Sequence, residues 1–237
     1  GSARSYNFGM DSINRKPRGL LYALGLAVVL ICAATAVACG VFLFIGGMSC
    51  ASAASASAEF TAVGAMYDRV SQARGRASAE RAQGRAGYVL AAEDGFMLVY
   101  AVYADETDAA VVAERLDCAA VTLRAESVSF PSEDGEECAE ALNVIAEVVT
   151  ETEKIWRQLD EGTTSESLSV TQLKSYADAL RPYKDAGDGV GGLADEICGM
   201  LLTTAAGSEY PLTADIKYLS AYTAARLAEF TAAAAAV

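Results

Sequence analysis

Residues 20–45 read LLYALGLAVVLICAATAVACGVFLFI without a single charged side chain, and nothing else in the chain limits its arrangement so strongly. About 20 apolar residues at 1.5 Å rise cross a hydrocarbon core of roughly 30 Å, so the run predicts one transmembrane helix. Gly25 and Gly40 do not weaken that expectation. In lipid no water competes for the backbone, and the helix keeps its internal hydrogen bonds. A cleaved signal peptide is the competing reading, since Ala51-Ser52-Ala53 has the small residues of a cleavage site. Signal-peptide apolar regions are only about 7–15 residues long, which favours an anchor.

The flanks set the orientation. Arg4, Arg15, Lys16 and Arg18 precede the run, and nearly all the acidic residues of a chain with formal net charge -13 follow it. Basic residues beside a span stay on the cytoplasmic side, so residues 1–19 are expected to be a cytoplasmic tail and the remainder extracytoplasmic. Residues 46–58 are mostly Ser, Ala and Gly without apolar bulk, and read as a linker.

Beyond the linker the hydrophobic period changes several times. Residues 60–67 suit a strand, and Asp68 is a candidate N-cap for a helix to about Arg85. The β-rich runs 87–91 and 96–103 flank Glu93-Asp94-Gly95, a strong hairpin signal. Asp105 or Thr107 caps a helix ending at Leu116, where Ala109, Val112, Ala113 and Leu116 recur at helical spacing. Alternation returns over 120–130. The order is βαββαβ, an α+β unit expected to form a small antiparallel sheet with both helices on one face.

Within that unit, Phe60 to Gly64 with Met66, and Gly95 to Tyr103 followed by Asp105 to Leu116, resemble the SPOR (sporulation-related) domain over residues 59–131. Its two half-repeats each place a glycine and an aromatic at a strand end before a helix that opens with acidic residues and alanine. The resemblance implies an extracytoplasmic domain of a bacterial single-pass membrane protein that binds peptidoglycan glycan strands in cell division or sporulation. Aromatic rings offer flat surfaces to sugar rings, which makes Tyr88, Phe96 and Tyr100 the candidate ligand-binding residues. Strict alternation assigns Phe96, Leu98, Tyr100 and Val102 to one face and Met97, Val99, Ala101 and Tyr103 to the other.

Residues 132–237 read as helical. Cys138, Leu142, Ile145, Val149, Trp156 and Leu159 form a stripe, and the first helix is expected to end near Gly162. A capping box from Ser169 to Gln172 with a Leu168–Leu173 staple predicts the next start, with an end before Pro182. Leu193 to Leu201 and Pro211 to Phe230 mark two further helices. Gly187, Gly189 and Gly192 fit GxGxxG but follow a helix rather than a strand, so they predict a loop. Arg69, Arg74, Arg76, Arg81 and Arg85 are the only basic run after residue 46 and read first as a solvated helix face.

The chain contains no histidine, which removes the commonest general base and metal ligand. No enzyme activity, cofactor or metal is expected, and the acidic balance argues against nucleic acid. Of six cysteines, only Cys118, Cys138 and Cys198 lie beyond residue 50, too few for a disulfide framework. The partners implied are the lipid bilayer, peptidoglycan and other membrane proteins. A second reading concerns the sheet. Residues 96–103 are apolar without interruption, as in a sheet covered on both faces. In that reading the later helices, including Trp156, dock on the face that would otherwise meet glycan, and the protein is a structural subunit of a membrane complex.

Topology is testable directly. On intact cells, a membrane-impermeant thiol reagent is expected to leave Asn7→Cys unlabelled and to reach Cys118 once the outer face is denatured. The opposite pattern reverses the orientation.

Overall fold

The structure, a computed structural model, describes residues 53–130 and 134–236. The apolar run 20–45 lies outside these residues. Among the described residues no helix is long and apolar enough to cross a membrane. In chain order the elements are β1 (Ala53–Ala54), β2 (Ala58–Tyr67), α1 (Val70–Ala82), β3 (Tyr88–Ala92), β4 (Gly95–Tyr103), α2 (Glu106–Leu116), β5 (Ala119–Ala125), β6 (Ser129–Phe130), α3 (Gly135–Asp160), α4 (Glu166–Leu180), a 3-10 turn (Arg181–Asp185), α5 (Val190–Ala206) and α6 (Leu212–Ala235).

The βαββαβ order holds. The main sheet runs β3-β4-β2-β5 with every neighbouring pair antiparallel. That makes β2 parallel to β3 and β4 parallel to β5, and right-handed crossovers through α1 and α2 place both helices on one face. α2 is capped by Asp105, whose carboxylate accepts the N–H groups of Thr107 and Asp108. These backbone bonds hold its carboxyl below the usual range. Asp68 is not a cap: α1 begins one residue later, behind an extended Arg69 with no side-chain bond, and ends at Ala82 rather than Arg85.

Alternation along β4 breaks at Tyr100. Val63 faces Ala101 and Gly64 faces Val99, so Tyr100 is an extra residue, a bulge. Val102 therefore joins Met97 and Val99, while Ala101 moves to the side of Leu98. The cause lies across the ladder. A Cβ on Gly64 would sit 2.1 Å from the Leu98 carbonyl oxygen, so only glycine allows β2 to approach β4 here.

The face carrying Phe60, Ala62, Val99, Val121 and Leu123 is covered by α6. That helix packs on β3, β4 and β5 and, on its far side, against α3 and α5. Its path is fixed at both ends: Tyr218 and Tyr222 pack edge-on against Tyr88 of β3, and the Thr231 hydroxyl accepts the Glu126 N–H just past β5. A C-terminal helix thus lies where the continuous apolar strand requires one. It is α6, whereas Trp156 of α3 stands at the end of β4, edge-on to Tyr103 at 5.6 Å, with the Lys217 ammonium of α6 over its ring.

Two further readings change. The Ser/Ala stretch is not a loose linker from Ala53 onward: β1 pairs with β6, and Ser55 is 3% exposed. Its hydroxyl accepts the Val128 N–H at 3.0 Å, and its own N–H donates to the Val128 carbonyl at 2.9 Å. α4 starts a turn earlier than its capping box suggests. Ser165 is the cap, accepting the Leu168 N–H, while Ser169 is buried inside the helix and Leu168 is 53% exposed. With Leu168 in solvent no staple forms. Cys138 and Cys198 are buried free thiols, as small apolar side chains are. Residues 53–236 fall in one compact unit.

Gly64→Ala is expected to cost about 3 kcal/mol, because a strand backbone must move to admit the methyl group. Gly75→Ala, mid-α1 with nothing within 4 Å of the added carbon, should instead stabilise by about 0.5–1 kcal/mol. Urea unfolding of the two variants checks the contrast.

Candidate binding cleft

The helical period of α1 aligns Arg74, Ser78 and Arg81 on one face, directed at the outer edge of β3. α1 lies this close because Gly87 opens β3. A Cβ there would sit 2.5 Å from Arg81 Cγ and 2.6 Å from the Ala77 carbonyl oxygen, at a φ of +66°. The other wall comes from the start of α6 and the turn before it. Together they form a cleft of about 370 Å³ lined chiefly by Arg74, Ser78, Arg81, Val89, Tyr210 and Tyr218.

Arg81 organises the cleft. Its guanidinium lies 4.3 Å from the Tyr210 ring centroid and 4.7 Å from that of Tyr218, a cation–π sandwich. Its Nη2 donates to Asp215 Oδ1 at 2.6 Å. Asp215 is only 4% exposed, and the Ser208 hydroxyl lies 2.7 Å and 2.9 Å from its two oxygens. Ser208 also accepts the Tyr210 N–H at 3.0 Å, which fixes the turn that presents Tyr210. Arg81 Nε is buried without a hydrogen-bond partner among the described residues. Arg74 forms no ion pair among them.

Behind the cleft the aromatic rings continue. Tyr218 and Tyr222 stack with planes 13° apart, and Tyr222 donates to Glu196, which also pairs with Arg226. Burial, then the Glu196 carboxylate, pushes the Tyr222 phenol up to about 12. Burial, then the Glu229 carboxylate, also raises Tyr88. These phenols are neutral hydrogen-bonding and packing groups at physiological pH. The arrangement sets one guanidinium held in place, Arg81, and one exposed, Arg74, beside aromatic faces, which suits recognition of a carboxylate or another anion.

The three residues expected to bind ligand do not meet. Tyr88 stands in register with Val99, against α6, and borders the cleft. Phe96 pairs with Tyr67 and Ala91, three residues from Val99 and so on the opposite face. Tyr100 is the bulged residue, its ring capped by the Arg85 guanidinium at 4.2 Å; burial raises its phenol. The basic run is divided between roles: Arg81 and Arg85 are built into the fold, while Arg69, Arg74 and Arg76 are exposed. The sequence reading missed Arg81, Tyr210 and Tyr218 as a group. Their only signal there was the seven-residue spacing of Arg74 and Arg81.

On the α2 side of the sheet a second cleft, of about 530 Å³, is lined by Glu59, Thr61, Ala104, Glu106, Thr122 and Arg124. Its charged groups include an exposed Arg124–Glu59 pair, of the kind that contributes little. No protein-family model, curated protein or solved structure matches the chain.

Arg81→Met strands the Asp215 carboxylate. Breaking a buried pair costs about 3–5 kcal/mol, and we expect about 2–3 here because the Arg81 side chain is 23% exposed. Adding Asp215→Asn to that variant should recover part of the loss, as read by urea unfolding.

Proposed function

We propose that this chain is a single-pass bacterial membrane protein, anchored by residues 20–45 with its N-terminus cytoplasmic. Its extracytoplasmic α+β domain, SPOR-like in element order, serves as a binding and scaffold subunit of a membrane complex. It is not an enzyme. The supporting observation is α6, which occupies the sheet face opposite α1 and α2. Fully burying one large apolar side chain contributes about 1.5–3 kcal/mol, and α6 buries Ile216, Leu219 and Leu227 together. A weak sugar contact does not displace a helix held in this way. The glycan-binding reading implied by the resemblance requires a free aromatic platform. Tyr88 is packed against two other tyrosines, and Phe96 and Tyr100 lie on the other side of the sheet.

The full chain, solubilised in detergent and mixed with isolated cell-wall sacculi, is expected to stay in the supernatant on centrifugation. Sedimentation with the sacculi that Tyr100→Ala abolishes would restore wall binding. Alkaline carbonate extraction of membranes should leave the protein in the pellet; release into the wash would contradict the anchor.

A further inference from the structure

β3 is an edge strand: the sheet order leaves its outer side without a strand partner among the described residues. Edge strands are usually guarded by lysine, proline or an inward charge, because their free N–H and C=O groups invite another chain. Tyr88–Ala92 reads YVLAA and has none of these guards. Instead α1 rises on one side of the edge and the start of α6 on the other, forming the walls of the cleft that Val89 lines. An edge strand flanked by a helix is the geometry in which an extended peptide adds to a sheet.

Charge selects the occupant. The chain carries a formal net charge of -13, yet the cleft is lined by two guanidinium groups and no carboxylate. Asp215, the nearby acid, is held by Arg81 and Ser208. The Arg81 guanidinium lies against two rings with its Nε buried and its side chain 23% exposed, and Arg74 is exposed and forms no ion pair among the described residues.

We propose that the outer edge of β3 captures an extended acidic peptide segment of a partner protein as a fifth strand, with Arg74 and Arg81 receiving its carboxylates. Backbone bonds to β3 supply register, and at about 3.3 Å per residue its five residues reach along about 16 Å of the guest. The rings of Tyr210 and Tyr218 flank the carboxylate-bearing side chains. This rests on the scaffold reading above and names the class of partner.

The test uses the full chain in detergent with an amidated hexapeptide alternating valine and glutamate, its N-terminus blocked by a fluorescein label, and its labelled counterpart alternating valine and glutamine. Fluorescence anisotropy is expected to show saturable binding of the first, at least tenfold weaker binding of the second, and a loss of at least tenfold with Arg74→Glu. Arg69→Glu, an equal charge change outside the cleft, should leave affinity within twofold. Hydrogen exchange should slow at the amides of residues 88–92 on binding. Absence of binding, indifference to Arg74→Glu, or binding without protection of 88–92 would overturn the proposal. Saturable binding of an oligouronate in place of the peptide, or self-association of the chain through this edge, would also overturn it. Sedimentation with sacculi that persists in Arg74→Glu would sink the scaffold reading alone.

Discussion

Close approach between α6 and its neighbours is the interaction on which the rest depends. α6 is buried on several sides, against the sheet, α3 and α5, and its composition answers that demand. Ala214, Ala221, Ala224 and Ala225 are buried alongside Ile216, Leu219 and Leu227. Small residues let neighbouring backbones come near, and the few large ones fill the space that remains. Remove α6 and both the sheet and α3 lose their apolar partner. The two halves that the sequence suggests, a βαββαβ unit and a helical region, share one core through this helix.

Polar contacts along the same seam fix how the halves are aligned. Lys217 of α6 donates to the Gly84 carbonyl beyond α1 and to Asp160 at the end of α3. Glu153 of α3 accepts the Ala104 N–H just past β4 and pairs with Arg157, which also reaches Asp108 of α2. Arg81 and Asp215 join α1 to α6. Apolar packing tolerates sliding more readily than these directional bonds do, so the register between layers is set by the few charged groups at the seam.

The readable parts of the fold were those decided locally. The hairpin around Glu93 and Asp94, the cap at Asp105, the helix stop at Gly162 and the break before Pro182 are signalled by residues within one or two turns of the event. What escaped was decided at a distance. The bulge at Tyr100 comes from Gly64, a residue on another strand, and changes which side chains share a face. Ser55 reads as linker until Val128 and Ser127 bond to it. The cleft draws on α1, β3 and the turn before α6, segments whose proximity no local pattern announces. The α4 cap escaped for a different reason: Ser165 and Ser169 are both acceptable caps, and burial chose between them.

The short ribbon of β1 and β6 has a mechanical meaning. A pull applied from the N-terminal side enters the domain at Ala53, where two paired residues and the Ser55 bonds resist first. The next element along the line of force is β2, a central strand bonded on both sides, to β4 and β5. Drawing β2 out along its axis would shear two ladders at once instead of opening them bond by bond. The domain therefore presents a strand bonded on both sides to tension, with the ribbon ahead of it as a shorter link that yields first.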